Sequence, residues 1–217
     1  MIRHALAPVL PAAAQSLEVP RTLDPASGGV ALTFDDGPHP QGTPAVLDAL
    51  ARAGARATFF VVGEQAAHRP RLVGEIAAAG HAVALHGYRH RLQLRLSAGQ
   101  VRADIERGLD VLSAAADVEV RWHRPPYGVY SAAGLRAVRA SGLRPLLWSR
   151  WGKDWRRYTT PARIAARATR GLCSGDVILL HDADFYNARD SHLRTVRALE
   201  AILSHLSHLG IDTVLPV

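Results

Sequence analysis

The sequence predicts a single α/β domain built on a parallel sheet, either doubly wound or closed as a (β/α) barrel. Three observations predict it. Short apolar runs recur near 29–34, 56–62, 81–85, 119–123, 144–149, 175–180 and 211–215. Helical patterns fill most of the intervals between them, and cap or stop residues fall at the junctions. At 217 residues the chain is long enough for one sizeable core and too short for two comfortable domains.

The elements follow in order. In residues 1–28, Arg3 and the stretch from Ala5 to Ala14 faintly resemble a secretory signal, but Pro8 and Pro11 interrupt it. This segment reads as a leader or an arm packed on the domain, with export left open and the main domain over 29–217. Val30 to Phe34 reads as a buried strand ended abruptly by Gly37-Pro38. Thr43-Pro44 opens a helix to Ala53 as a cap followed by proline at the first helical position. Helices are expected from Glu64 to Ala79, Ser97 to Ala116, Ser131 to Ala140, Pro161 to Arg170 and Ser191 to Leu209. Gly54, Gly80 and Gly142 stand where helices should stop, and Thr160-Pro161 repeats the cap-and-proline start. The spacing carries no short-period repeat.

Composition narrows the partners. The formal charge is +7, and Lys153 is the only lysine, so arginine carries it. A basic surface favours anionic partners such as cell-wall polymers. The arginines are scattered without an aromatic-basic stripe or helix-turn-helix pattern, so nucleic-acid binding is not expected. No stretch is apolar for long enough to span a membrane. The single cysteine, Cys173, excludes an internal disulfide framework and a cysteine-rich zinc site. It reads as a small residue in the Gly171–Gly175 connection.

The chemistry begins at Asp35-Asp36. Two acids at a buried strand's end cost desolvation and mutual repulsion unless a cation or a shared proton offsets them. Adjacent side chains diverge, so one can bind a metal while the other handles protons. A shared-proton dyad and a phosphoacceptor are the other readings; no phosphate-cradling glycine loop or suitable lysine accompanies the second. The remaining unusual polar residues also follow strands: His86 and His90, Arg124, Asp154, and His181. In parallel α/β architectures the carboxyl ends of the strands carry the site, so five strands bring capable residues to one rim.

His86 and His90, four apart, reach one side of a helical turn. With Asp36 they form a two-histidine, one-carboxylate set suited to zinc, iron, cobalt or manganese, with positions open for water and substrate. His205 and His208 have similar spacing but sit on a leucine-rich helix as partly exposed residues. Arg124-Pro125-Pro126-Tyr127-Gly128 is either an ordinary turn or a rigid segment aiming a main-chain N–H at developing negative charge. Three of the four tryptophans lie between Trp148 and Trp155, as rim packing or as a platform for a sugar. His181, closing an apolar strand, is a general-acid candidate on the same rim.

Assembled, these residues closely resemble the polysaccharide deacetylase family, the NodB homology domain of carbohydrate esterase family 4. The resemblance covers residues 29–217 and five ordered motifs: Thr33 to Pro38, His86 to His90, Arg124 to Gly128, Asp154-Trp155 in part, and Leu179 to His181. It implies a distorted or incomplete (β/α)7-8 barrel with its active site at the carboxyl ends of the strands. It further implies that Asp36, His86 and His90 hold one divalent metal ion, zinc foremost, with cobalt, manganese, iron or nickel as alternatives. Asp35 would be the general base, oriented by Arg124, and the Tyr127 N–H would stabilise the oxyanion. His181 would protonate the departing amine, tuned by Asp154, while Trp155 and Leu179 line the acetyl pocket. The implied substrate is an acetylated glycan, chiefly N-acetylglucosamine units of a cell-wall glycan or chitooligosaccharide. An O-acetyl xylan esterase, a non-sugar amidase and a glycan-binding pseudoenzyme are the alternatives. Two positions depart from the family pattern: Gly87 replaces a hydroxyl residue, and Trp151 replaces an acid.

Overall fold

The computed structural model describes residues 2–217. The chain begins with α1 (Ile2–Leu6), α2 (Pro11–Ser16), β1 (Gly29–Asp35), α3 (Gly42–Arg52), β2 (Ala57–Val61), α4 (Gly63–His68), α5 (Pro70–Ala78) and β3 (Ala82–Leu85). It continues through α6 (Ala98–Ala115), β4 (Trp122–His123), α7 (Ala132–Ala140), β5 (Arg144–Pro145) and β6 (Arg150–Trp151). It ends with α8 (Pro161–Thr169), β7 (Val177–His181), α9 (Ser191–Leu209) and β8 (Asp212–Thr213).

The strands form one parallel sheet in the order β5-β4-β3-β2-β1-β7-β6, with β8 beside the start of β1. β1 lies between β2 and β7 and is buried along its whole length, as expected of a strand covered on both faces. The outermost strands, β5 and β6, are consecutive in the chain, so the sheet curls until residues 146–149 join its two edges. The result is the incomplete, distorted barrel that the family resemblance implies, rather than an open doubly wound sheet.

The seam explains one departure from expectation. A continuous strand over 144–149 is replaced by two short ones. The Arg124 Nε donates to the Leu146 carbonyl (3.0 Å) and Nη2 to the Leu147 carbonyl (2.8 Å), while the Leu147 N–H donates to the Pro20 carbonyl (2.8 Å). Groups that a ladder would use are already occupied. The helix expected from Glu64 to Ala79 is likewise two, broken at Arg69 (φ −140°) because Pro70 lacks an N–H and disfavours helical geometry before it.

Local signals elsewhere act as predicted or are redirected. The Thr160 hydroxyl accepts from the Arg163 N–H and caps α8. α3 instead starts at Gly42, and the Thr43 hydroxyl accepts from the His39 N–H (2.7 Å) and donates to Asp182. Along α9 the stripe Thr195, Ala198, Leu199, Ile202 and Leu206 is buried, whereas His205 and His208 are exposed. In the N-terminal segment Ala7, Ala14 and Val19 are buried against the core, and the Leu23 N–H donates to the Gly175 carbonyl (2.8 Å). Among the described residues no helix is long and apolar enough to cross a membrane.

Candidate active site

Strand register sets the site. Asp35, ending β1, is the ladder partner of His181, ending β7, and Thr33 is the partner of Leu179. Side chains alternate along a strand, so Thr33, Asp35, Leu179 and His181 share one face. Asp35, Leu179 and His181 meet residues that follow β3 and β4 in a cavity of about 290 Å³, lined also by Asp36, His86, His90, Tyr127, Trp155 and Asn187, while Thr33 is fully buried beneath it. Arg124 and Asp154 lie fully buried behind that lining.

Asp36 Oδ1 is 3.5 Å from His86 Nε2 and 3.3 Å from His90 Nε2. It is buried and accepts no hydrogen bond from the protein, an orphan that a cation between the three side chains would satisfy. The His86 Nδ1 sits 2.8 Å from the Arg124 carbonyl. A carbonyl only accepts, so Nδ1 carries the hydrogen and Nε2 keeps its lone pair toward Asp36. Burial pushes the His86 pKa well below its ordinary value, which also favours the neutral ligand form. Burial would raise the Asp36 carboxyl, but the His90 contact and the charge of His181 outweigh it and hold it well below the usual range. These donors fit a divalent cation of the zinc type.

Asp36 itself is strained, at φ 81°. The turn that holds it there is tight: a Cβ on Gly37 would collide with the Asp182 carboxylate. Asn187 completes the grip, donating from Nδ2 to Asp36 Oδ2 (2.7 Å). Only Oδ1 is left facing the histidines.

Asp35 and His181 have different supports. The Arg124 Nη1 donates to Asp35 Oδ1 (2.7 Å) and to the Thr33 hydroxyl (2.8 Å). Burial raises the Asp35 pKa to about 6, with Arg124 pulling the other way. His181 Nδ1 lies 2.9 Å from Asp154 Oδ1, and its backbone N–H donates to Asp154 Oδ2 (2.7 Å). The Thr195 hydroxyl donates to that same Oδ2 (2.8 Å). Burial would lower the imidazole, yet the Asp154 charge and hydrogen bond prevail and raise it to about 10. The cavity therefore holds a carboxyl titrating near neutrality beside an imidazolium that stays protonated.

The aromatic residues form the rim. Trp148, Trp151 and Trp155 follow one another at centroid spacings of 5.8 and 5.6 Å, and Trp155 meets the His181 ring edge-on at 5.4 Å. Trp151, where the family pattern has an acid, is part of this run and carries Lys153 over its face. Gly87, at φ 81°, is suited to glycine. Its loop is held instead by Asp104, whose carboxylate accepts the Tyr88 N–H (2.8 Å) and Arg89 N–H (3.1 Å). Tyr127 also has a left-handed backbone (φ 64°), and its exposed ring lies 4.7 Å from that of His90.

Sequence reasoning missed Tyr186, Asn187 and Thr195. Tyr186 stacks on His90 at 4.1 Å with the planes 8° apart. A second cluster, His39, Asp184 and His192, anchors the loop bearing Tyr186 and Asn187. The His39 Nδ1 accepts from the Gly42 N–H (2.9 Å) and the Gln41 N–H (3.2 Å). Its hydrogen is thus on Nε2, 3.4 Å from Asp184 Oδ1, and no lone pair there remains for a cation. The cluster is a clamp.

Residues 23–146 match the family model described as polysaccharide deacetylase. A chitooligosaccharide deacetylase from Sinorhizobium fredii is 38% identical, the match covering 83% of this chain and 86% of that one. A peptidoglycan-N-acetylglucosamine deacetylase from Bacillus cereus is 33% identical, over 83% of each chain. Among solved structures, a family 4 carbohydrate esterase from Streptomyces lividans in complex with acetate superposes with TM-score 0.78 at 32% identity, covering 87% of this chain and 92% of that one. This chain belongs to the polysaccharide deacetylase family.

Proposed function

We propose that the chain is a hydrolase that removes acetyl groups from a glycan, N-acetylglucosamine units of a cell-wall glycan or chitooligosaccharide foremost. The observation that carries the proposal is the ladder pairing of Asp35 with His181 beside the Asp36, His86 and His90 cluster. A base, an acid and a candidate cation site thus share one cavity. The relatives named above act on such glycans.

Asp36, His86 and His90 would hold one divalent cation, zinc being the best match to two imidazoles and a carboxylate. When bound, it supplies Lewis-acid polarisation of the acetyl carbonyl and eases ionisation of the attacking water. Asp35 takes the proton from that water as general base, oriented by Arg124. The Tyr127 N–H faces the oxyanion. His181 gives its Nε2 proton to the departing sugar nitrogen, and Asp154 keeps it charged until then. Trp155 and Leu179 enclose the acetyl methyl.

Acetate release from chitooligosaccharides, peptidoglycan and acetylated xylan, with and without a chelator, tests the reading. We expect chelator-sensitive release, strongest on an N-acetylated glycan. Asp35→Asn should abolish turnover while zinc remains bound at one equivalent. Tight glycan binding with no acetate released under any metal would refute the proposal.

A further inference from the structure

The reaction cavity does not end at Tyr127. A second hollow of about 470 Å³ adjoins it, lined by His90, Arg91, Leu92, Arg95, Leu96 and Tyr127. The two share His90 and Tyr127. The reaction cavity itself, at about 290 Å³, lies at the lower end of small-ligand pockets. An oligomeric glycan must therefore continue beyond it, and the ridge at Tyr127 leads into this hollow.

Arg91 and Arg95 set the hollow apart. Several other arginines around the site are engaged: Arg124 with Asp35, Arg89 with Glu64, Arg150 with Asp176, and Arg69 with Gln65 and the Phe185 ring. Among the described residues, Arg91 and Arg95 have no carboxylate within salt-bridge distance. Asp104, whose carboxyl feels Arg91, already accepts the Tyr88 and Arg89 N–H groups. The loop is not slack. Gln93 is buried between the two arginines and accepts the Ser131 N–H (3.3 Å). Two exposed arginines thus line, with Leu92 and Leu96, a hollow beside the reacting centre.

We propose that this hollow is a subsite for a carboxylate-bearing sugar next to the acetylated unit, so that the preferred substrate is an anionic glycan rather than a neutral polymer. The proposal rests on the deacetylase reading above. Guanidinium forks match carboxylates in shape and charge, and the leucine side chains offer an apolar floor for a sugar face. The net charge of +7 adds long-range attraction for such a polymer. The carboxylate can belong to a uronic acid ring or to a lactyl ether on an amino sugar, and the experiment separates these sources.

Acetate release is measured on chitopentaose, on an oligomer alternating N-acetylglucosamine with uronic acid, and on one alternating it with the lactyl-bearing amino sugar. Each acidic oligomer has a carboxyl-reduced counterpart. We expect one acidic oligomer at least to exceed its reduced counterpart about tenfold in kcat/KM, mostly through KM, with the ratio shrinking as salt rises. R91Q/R95Q should erase that ratio, losing far more on the acidic oligomer than on chitopentaose. Equal kcat/KM for the acidic and reduced forms overturns the subsite, as does an equal loss on every substrate in the double variant. Calorimetric binding of the same oligomers to chelator-treated protein is read alongside. If no oligomer releases acetate, the deacetylase reading falls, and the acidic-to-reduced affinity ratio still decides the subsite.

Discussion

Replacing Asp154 with asparagine tests the acid directly. Asp154 is fully buried; Oδ2 accepts the His181 N–H and the Thr195 hydroxyl, and Oδ1 meets His181 Nδ1. An asparagine keeps the two donors on Oδ2 only by presenting its NH2 group where Oδ1 stood. That group cannot accept, so His181 Nδ1 must give up its hydrogen and the ring becomes neutral. Without the Asp154 charge and hydrogen bond, burial draws the imidazole down from about 10 toward its ordinary 6.5, opposed only by the weaker pull of Asp36 and Asp35. With the imidazole back at 6.5, about 3% of the acid is protonated at pH 8, a loss of about thirtyfold. The wild type should show a plateau in kcat/KM, rising through about 6 as Asp35 ionises and falling through about 10 as His181 loses its proton. In D154N the alkaline limb should drop from about 10 toward 6.5, with part of the activity recovered in mild acid. A pH profile of acetate release, with a thermal melt as folding control, checks this. An unchanged alkaline limb, or a loss equal at every pH, would refute the reasoning.

Other outcomes follow from the same geometry. His181 binds its proton more tightly folded than unfolded, so its stabilisation is complete below 6.5 and lost as pH rises through about 10. Wild-type melting temperature should fall over that window, and D154N should flatten the fall. Asn187→Ala should weaken zinc binding about tenfold, because Asp36 then turns freely; equilibrium dialysis reads it, and unchanged affinity counts against the role. Gly87→Ala should cost about 1 kcal/mol or more in denaturant unfolding, from its left-handed backbone and a Cβ 2.9 Å from Asp104 Oδ2. Arg124→Gln should cost about 3–5 kcal/mol as the buried pair breaks and move the acidic limb above 6, since Arg124 now holds Asp35 down.

The candidate site was legible where its residues sit at strand ends, because a buried strand closing on Asp, His or Arg conflicts with its own hydrophobic pattern. Asp35, Asp36, His86 and His181 announced themselves in that way. Asn187 did not, since it projects from an irregular loop, although the run Phe185-Tyr186-Asn187 just past His181 was a signal available to a closer reading. Thr195 left a fainter trace: it is a hydroxyl on the stripe that α9 otherwise fills with Ala198, Leu199 and Ile202, and a buried hydroxyl needs a partner. The broken strand over 144–149 had no local cue. Its carbonyls are taken by Arg124, whose claim depends on the finished fold.

That claim has an evolutionary consequence. The side chain that orients Asp35 also rivets the wall where the sheet fails to close. Selection for a folded product should therefore preserve Arg124 even in a lineage no longer selected for turnover. Inactive descendants of this architecture should lose Asp35 or His181 first and keep the arginine. Its presence in a relative testifies to an intact wall, and says nothing about whether that relative still works.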